Sequence, residues 1–298
     1  MSTPLVSVVM SVHNGQKFLS QALDSILNQS FKDFEFIVAD DASDDDTARI
    51  LNSVEDQRIR VITLKTNIGL TDALNMLISE ARGMYIARMD ADDISYEERL
   101  EKQVEYMTSD PRLVLLGTCF DYIDSQGHSF LNEKLLGCDA MIRKALIETG
   151  NQFCHPSVMF KADSVKSIGG YRNISGRYAQ DYDLWLRLSE TGMVANLDLV
   201  LLGYRIHDSQ LSQRHLVDQR RSAEIYRILA IQRSNLGIED YKKALDDAAC
   251  AEYTISILTA GDLLRWSTLY YAMGKKKRAY MMRIQAYWLK YKRLPGFS

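Results

Sequence analysis

From Leu5 to Val12 the chain reads LVSVVMSV, a β-branched apolar run that predicts a buried strand. The next stretch, GQKFLSQALDSILNQS, changes period: Phe18, Leu19, Ala22, Ile26 and Leu27 share one face of a helix. FEFIVADDAS predicts a second strand, Phe34 to Ala39, that ends in acids. DDTARILNSV then predicts a helix, RIRVITL a third strand, TDALNMLISEARG a helix and MYIARMD a fourth strand. Strand and helix alternating at short range is the pattern of an α/β fold, its mostly parallel central sheet wound through right-handed crossovers.

After Asp93 the alternation loosens. SYEERLEKQVEYMTSD predicts a helix ended by Pro111, RLVLLGTCFDYID a strand and SQGHSF a turn. CHPSVMFKADSVKSIGGY and YAQDYDLWLRLSETG predict a strand and two helices with turns between them. Past about Ser212 no strand pattern remains, and Ala, Leu, Arg, Tyr and Lys dominate. The chain therefore divides into an α/β domain, residues 1–212, and a helical C-terminal extension, residues 213–298.

Composition narrows the class. The 298 residues are 46% hydrophobic and 25% charged, as in soluble globular proteins, and a net charge of −3 argues against nucleic acid as a partner. Cys119, Cys138, Cys154 and Cys250 form no C-x-x-C pair, which speaks against a disulfide framework or zinc site and for a reducing, cytoplasmic compartment. The first residues lack the basic and apolar regions of a signal peptide, and no apolar run approaches the length of a membrane span.

The candidate chemistry lies where the strands end. Ligands of an open parallel sheet bind beyond the carboxyl ends of its strands. Two of the four early strands end there in acids: Asp40 with Asp41, and Asp90 with Asp92 and Asp93. In an extended segment residues i and i+2 face the same way, so Asp90 and Asp92 converge and Ala91 turns aside. Converging carboxylates suit Mg²⁺ or Mn²⁺, whose charge cancels their repulsion and whose shell is completed by substrate phosphates and water. Asp93 has a second reading, as the cap of the helix that follows.

VSVVMSVHNGQKFLSQALDSILNQSFKDFEFIVADDASDDDT resembles the opening block of family 2 glycosyltransferases, and NIGLTDALNMLISEARGMYIARMDADDIS their second block, with its D-x-D motif. The resemblance spans residues 4–212 and implies the GT-A fold, a nucleotide-binding α/β sandwich. It implies that Ser11, Val12, His13 and Asn14 form the loop that holds the nucleotide, and that Asp41 accepts a hydrogen bond from the base. Asn67, Asn75 and Arg88 are placed near the nucleotide or its sugar; Asp90 and Asp92 become the D-x-D, with Asp92 as direct metal ligand. The sequence departs from the family's pattern at Ser11 and His13, where Pro and Tyr are usual, and at Ala42, where the acidic turn usually has Gly.

YAQDYDLWLRL resembles the block that carries the family's base, and so implies Asp181 as general base of an inverting single displacement; Gln180 stands where Glu is usual. Asp183, just before the apolar run, reads as that helix's N-cap, and Trp185, on the acceptor side, as core or cleft wall rather than a stacking platform. GYRIHDSQLS, after an apolar strand, implies His207 as a third metal ligand and Arg205 at the diphosphate. His155 and Gly170 are placed on the acceptor side, though a structural hydrogen bond explains a lone histidine equally well. The implied partners are a nucleotide sugar, first of all a UDP-sugar, and a glycan or lipid-linked glycan. Gly274 to Ser298 is basic with interleaved aromatics and no acids, which suits either peripheral contact at the inner face of a membrane or a packed, solvated terminal helix. Two alternatives compete: a non-catalytic sugar-nucleotide binder on the same fold, and an aspartyl-phosphate phosphotransferase with Asp90 as nucleophile.

Overall fold

The computed structural model describes residues 3–174, 178–207 and 215–291, excepting the side chains of 252–254, 257, 288, 290 and 291. The chain forms two compact units, Met1–Asn173 with Leu184–Ile206, and Ile174–Asp183 with His207–Ser298. The boundary expected at 212/213, and Lys292 and Arg293 of the basic tail, lie outside the described residues.

The first unit is built on β1 (Val6–Val12), β2 (Phe34–Asp40), β3 (Ile59–Thr63) and β4 (Tyr85–Arg88), which pair in parallel in the order β3-β2-β1-β4. Both faces of β1 and β2 are covered, which is why their sequences are continuous apolar runs rather than alternations. The connecting helices are α1 (Leu19–Leu27), α2 (Thr47–Asn52) and α3 (Leu70–Glu80). Helix α1 buries Leu19, Ala22, Leu23 and Ile26, so its core face is turned slightly from the expected one, with Leu23 in and Leu27 half-buried.

Beyond β4 the sheet continues as β8-β6-β9-β5, with β7 on β6. These are β5 (Ile94–Ser95), β6 (Leu113–Ile123), β7 (Ser129–Glu133), β8 (Met159–Lys161) and β9 (Met193–Arg205). Strand β8 runs antiparallel to β4 and β6, while β6 and β9 are parallel. The helices here are α4 (Arg99–Ser109), α5 (Asp139–Glu148), α6 (Ala162–Ser167) and α7 (Gln180–Ser189), the last divided between the two units. The turn expected over SQGHSF is completed by β7, whose residues are mostly exposed and gave no apolar signal. Helix α7 begins three residues before Asp183, so Asp183 lies inside the first turn, fully buried, and is not the N-cap.

Two internal ties set the register of the sheet. Glu35 is buried; its carboxylate accepts from Ser7 Oγ at 2.7 Å and from the Arg82 backbone and guanidinium at 2.6–2.9 Å. Burial is the largest single influence and raises its pKa, but these donors together outweigh it and hold the pKa below the ordinary carboxylate value. At Gly83 an added Cβ would stand 2.5 Å from the Ser7 backbone nitrogen, so β1 and the entry to β4 approach more closely than a side chain permits.

In the second unit, α8 (Leu216–Leu236), α9 (Tyr241–Cys250), α10 (Glu252–Ala272) and α11 (Lys276–Tyr291) follow one another. Gly237, at φ +68°, ends α8 in the left-handed conformation, and Asp240 caps α9 by accepting from the Lys243 amide at 2.9 Å. Helices α10 and α11 form a hairpin around Ala260, Leu263 and Ala286, with Met282 and Leu289 packed on that cluster. Ser267 Oγ donates to the Ala279 carbonyl and accepts from Arg283 Nε, each at 2.9 Å.

Candidate active site

Three parallel strand ends lie side by side, because β1 sits between β2 and β4. The first two carry loops that zip together. The Asn14 amide donates to Ser43 Oγ (3.0 Å), Gly15 to Thr47 Oγ1 (2.9 Å) and Gln16 to Asp45 Oδ2 (3.0 Å). In return Asn14 Oδ1 accepts from Asp44 (2.9 Å) and Gln16 Oε1 from Asp46 (3.0 Å). Ser11 is half-buried and Val12 buried at the end of β1; His13 and Asn14 are exposed on the loop. His13 Nδ1 is 2.8 Å from the Asp41 carbonyl, which can only accept. The proton therefore sits on Nδ1, and in the neutral ring Nε2 presents a lone pair.

The acidic turn after β2 is structural as well as chemical. Asp40 Oδ1 accepts from the Ser43 amide at 3.0 Å. The buried Asp41 carboxylate accepts from Ile68 (2.7 Å) and Gly69 (2.9 Å), which fixes the loop carrying the exposed Asn67. Ala42 sits at φ +56°, the left-handed region that glycine enters freely, so the departure from the family's usual Gly keeps the turn at the expense of strain.

At the end of β4, Asp90, Asp92 and Asp93 each offer a carboxylate oxygen, all within 4.8 Å of one another. Ala91 turns toward the loop after β1, its Cβ 3.8 Å from where a Cβ on Gly15 would stand. Asp93 is not a helix cap: α4 begins after Glu98, and Asp93 is buried with Oδ1 accepting from the Arg205 amide at 2.8 Å. Its Oδ2 is buried without a hydrogen-bond partner among the described residues, and burial, then Asp92 and Asp90, raise its pKa well above the ordinary value.

Arginines surround the acids. Arg88 is fully buried; its Nη2 lies 2.5 Å from Asp90 Oδ1, and its Nε and Nη1 are buried without hydrogen-bond partners among the described residues. Arg205 is buried too: Nε donates to the Asp92 carbonyl (2.6 Å), Nη1 to the Asp124 carbonyl (2.9 Å) and Nη2 to Gln21 Oε1 (2.7 Å). Its guanidinium carbon stands 4.5 Å from the centre of the Phe18 ring. Arg205, placed at the diphosphate by resemblance, thus directs its donors to the protein and holds the turn of the D-x-D. Arg99 donates to the Arg88 carbonyl at 2.7 Å and to Gln103 Oε1 at 3.1 Å, and burial lowers its pKa to about 9. Neither Arg99 nor Gln103 is among the sequence-derived site residues. The signal for them is positional, since both polar residues fall on the face of α4 that also buries Leu100, Val104 and Met107.

Hard oxygen donors at this spacing fit Mg²⁺ or Mn²⁺, and the unpartnered Asp93 Oδ2 and Arg88 donors are buried polar atoms of the kind a bound ion or anion satisfies.

The residues assigned to the acceptor side form a second constellation. His155 Nε2 is 2.7 Å from the Tyr171 hydroxyl, and its ring packs edge-on to Tyr171 and Trp185. Burial, then the Arg88 charge, pushes its pKa well below the ordinary value, so it is a neutral imidazole. Asn75 exchanges two hydrogen bonds with the Tyr171 backbone (2.9 and 2.8 Å), so its amide shapes this loop. Gly170, at φ +68°, abuts the same amide, with an added Cβ 2.4 Å from Asn75 Oδ1. Trp185 is fully buried against Phe153, His155 and Phe160 and is core, not a stacking platform. Asp181, half-buried in the first turn of α7, and the half-buried His207 fall in the second unit.

The profile described as Glycosyl transferase family 2 matches residues 7–169, which hold the zipped loops after β1 and β2, the acid cluster and His155. The O-antigen biosynthesis glycosyltransferase WbnJ of Escherichia coli is 37% identical over 221 residues, 71% of this chain and 84% of its own. Among solved structures, S. aureus TarS (1–349) in complex with UDP-GlcNAc superposes with a TM-score of 0.61 at 16% identity, covering 98% of this chain and 93% of that one. The mannosyltransferase PcManGT of Pyrobaculum calidifontis, in complex with GDP-Man and Mn²⁺, gives 0.57 at 15% identity over 99% and 89%. The two structures share the fold, GT-A. Residues 7–169 and the relative together settle the membership: the chain belongs to glycosyl transferase family 2, and it is a glycosyltransferase.

Proposed function

We propose that this glycosyltransferase moves a sugar from a nucleotide-sugar donor, a UDP-sugar first of all, to a hydroxyl of a glycan or lipid-linked glycan, with inversion. The observation that carries the reading is the convergence of Asp90, Asp92 and Asp93 at the end of β4, beside the zipped loops that hold His13, Asn14 and Asp41. Asp92 and Asp90, with His207 as a further ligand, would hold Mn²⁺ or Mg²⁺, which supplies charge neutralisation for the diphosphate leaving group. Ser11, Val12, His13 and Asn14 line the nucleotide, and Asp41 orients the base; Asn67 and Arg88 lie toward the sugar. Asp181 takes the acceptor proton as that oxygen attacks the anomeric carbon and the bond to the diphosphate breaks. Asn75, Gly170 and Arg205 serve by shaping the loops they are bonded to. The kinship with an O-antigen biosynthesis enzyme supports a glycan acceptor, and the UDP-GlcNAc and GDP-Man complexes of the structural neighbours support a nucleotide-sugar donor.

The test is a thermal-shift screen of UDP-, dTDP- and GDP-sugars with Mn²⁺ and with chelator, followed by transfer assays. One donor should stabilise the protein only with the ion, and Asp92→Asn should abolish that shift. Asp181→Asn should keep the shift and lose transfer by about 10²-fold or more. Full transfer by Asp181→Asn would remove the base assignment.

A further inference from the structure

We propose that the outer face of α11, extended by Tyr271 of α10, is a docking surface for an anionic lipid membrane. The helix has two stripes. Ala279 and Ala286 are buried and Met282 and Leu289 half-buried, at the spacing of one helix face, and they close the hairpin with α10. On the other side Tyr280, Ile284 and Tyr287 recur at i, i+4 and i+7 with Met281 beside them, exposed by 65, 44, 61 and 50%. A helix already packed on its partner does not need a second apolar stripe for folding. Arg283 stands 5.9 Å from the Tyr271 ring, so that ring, 55% exposed, continues the same surface.

The charge around the stripe selects the occupant. Residues 274–298 hold eight bases and no acids, which leaves 28 bases and 39 acids to the other 273 residues. Lys276, Lys277 and Arg283 are exposed and flank the apolar stripe, whereas Lys275 and Arg278 lie over the Tyr270 ring within the hairpin. An apolar centre with a basic rim, set in an otherwise acidic protein, matches a surface with hydrocarbon below and negative headgroups above. A nucleic acid would supply the negative charge but would leave Met281 and Ile284 uncovered. No helix among the described residues is long and apolar enough to cross a membrane, so the contact is peripheral. The proposal does not depend on the donor or acceptor assigned above.

The experiment is co-sedimentation of the full chain with vesicles of phosphatidylcholine alone or phosphatidylcholine with phosphatidylglycerol, at low and high salt. The protein should bind the anionic vesicles, release with salt, and leave neutral vesicles largely unbound. Lys276→Glu/Lys277→Glu should weaken binding by about tenfold or more. Tyr280→Ser/Tyr287→Ser should also weaken it while adding no charge. Both pairs are exposed, and unchanged circular dichroism and an unchanged urea-unfolding midpoint would separate lost docking from lost folding. Equal binding to neutral vesicles, no binding to either, or unaltered binding by both variants would overturn the proposal. So would a dimer in light scattering that these variants dissociate without any vesicle binding, or a mixed-sequence oligonucleotide binding more tightly than the vesicles.

Discussion

Replacing Arg205 by methionine tests whether this residue holds the acid turn or meets the substrate. The guanidinium makes three hydrogen bonds of 2.6–2.9 Å, to the Asp92 and Asp124 carbonyls and to Gln21, and lies over Phe18. Bonds from a charged donor contribute roughly 1.5–3 kcal/mol each, and a cation over an aromatic ring roughly 0.5–2. The acceptors are only partly buried, so water recovers some of the loss, and methionine avoids burying a charge. The net cost is about 3 kcal/mol, and lysine, which restores one contact as a point charge, should lose about 2. Urea unfolding followed by tryptophan fluorescence in a Trp266→Phe/Trp288→Phe background, which leaves Trp185 inside the first unit as reporter, reads this directly. Because the turn carries Asp92, Mn²⁺ titration with a UDP-sugar present should show weaker ion binding in both variants. A methionine variant that lost under about 1 kcal/mol and kept normal ion affinity would show that the bonds are incidental. Normal stability with a selectively raised donor KM would return Arg205 to the diphosphate.

Three further outcomes follow from particular geometries. Ala42→Gly removes left-handed strain of about 1–2 kcal/mol and adds roughly 0.4–1 of chain entropy, so calorimetry should show a Tm higher by about 1–3 °C. Gly83→Ala should lose about 3 kcal/mol in urea unfolding, since the new Cβ meets Ser7 and Val6 backbone atoms on both approaches. His155 is neutral when folded and gains a proton when unfolded, so stability should fall as pH drops below about 6.5, by up to about 1.4 kcal/mol per unit. His155→Phe should flatten that part of the pH–stability profile, and an unchanged slope would place the titration elsewhere.

The parallel half of the sheet was legible because both of its faces are covered, so β1 and β2 had to be continuous apolar runs and their acidic ends stood out. Strand β7 was illegible because its half-exposed residues need only its neighbour's backbone. Strand β9 begins well before the apolar residues that announce it. Asn196 and Asp198 interrupt the pattern, and the Nδ2 of the buried Asn196 donates to the Leu136 and Gln152 carbonyls, distant in sequence. The same holds in the site. Asp90 and Asp92 are readable from spacing, but the functions of Asp41, Asn75 and Arg205 as loop anchors depend on backbone groups 27 to 113 residues away. The second reading of Asp93, as a cap, rests on a local explanation and fails because its partner is the amide of Arg205, 112 residues away.

Three carboxylates in four positions repel one another unless positive charge lies close by. The fold already supplies that compensation: Arg88, Arg205 and Arg99 each feel the charge of Asp93, and the first two also feel Asp90 or Asp92. Three fixed positive charges offset the acids before anything binds, the more so because the raised pKa of Asp93 favours its neutral form. A divalent ion entering alone would tip it to a surplus of positive charge, which a diphosphate is suited to cancel. Ion and nucleotide should therefore arrive as thermodynamically linked ligands, each weak without the other. On the proposed function, release of the diphosphate should then loosen the ion as well.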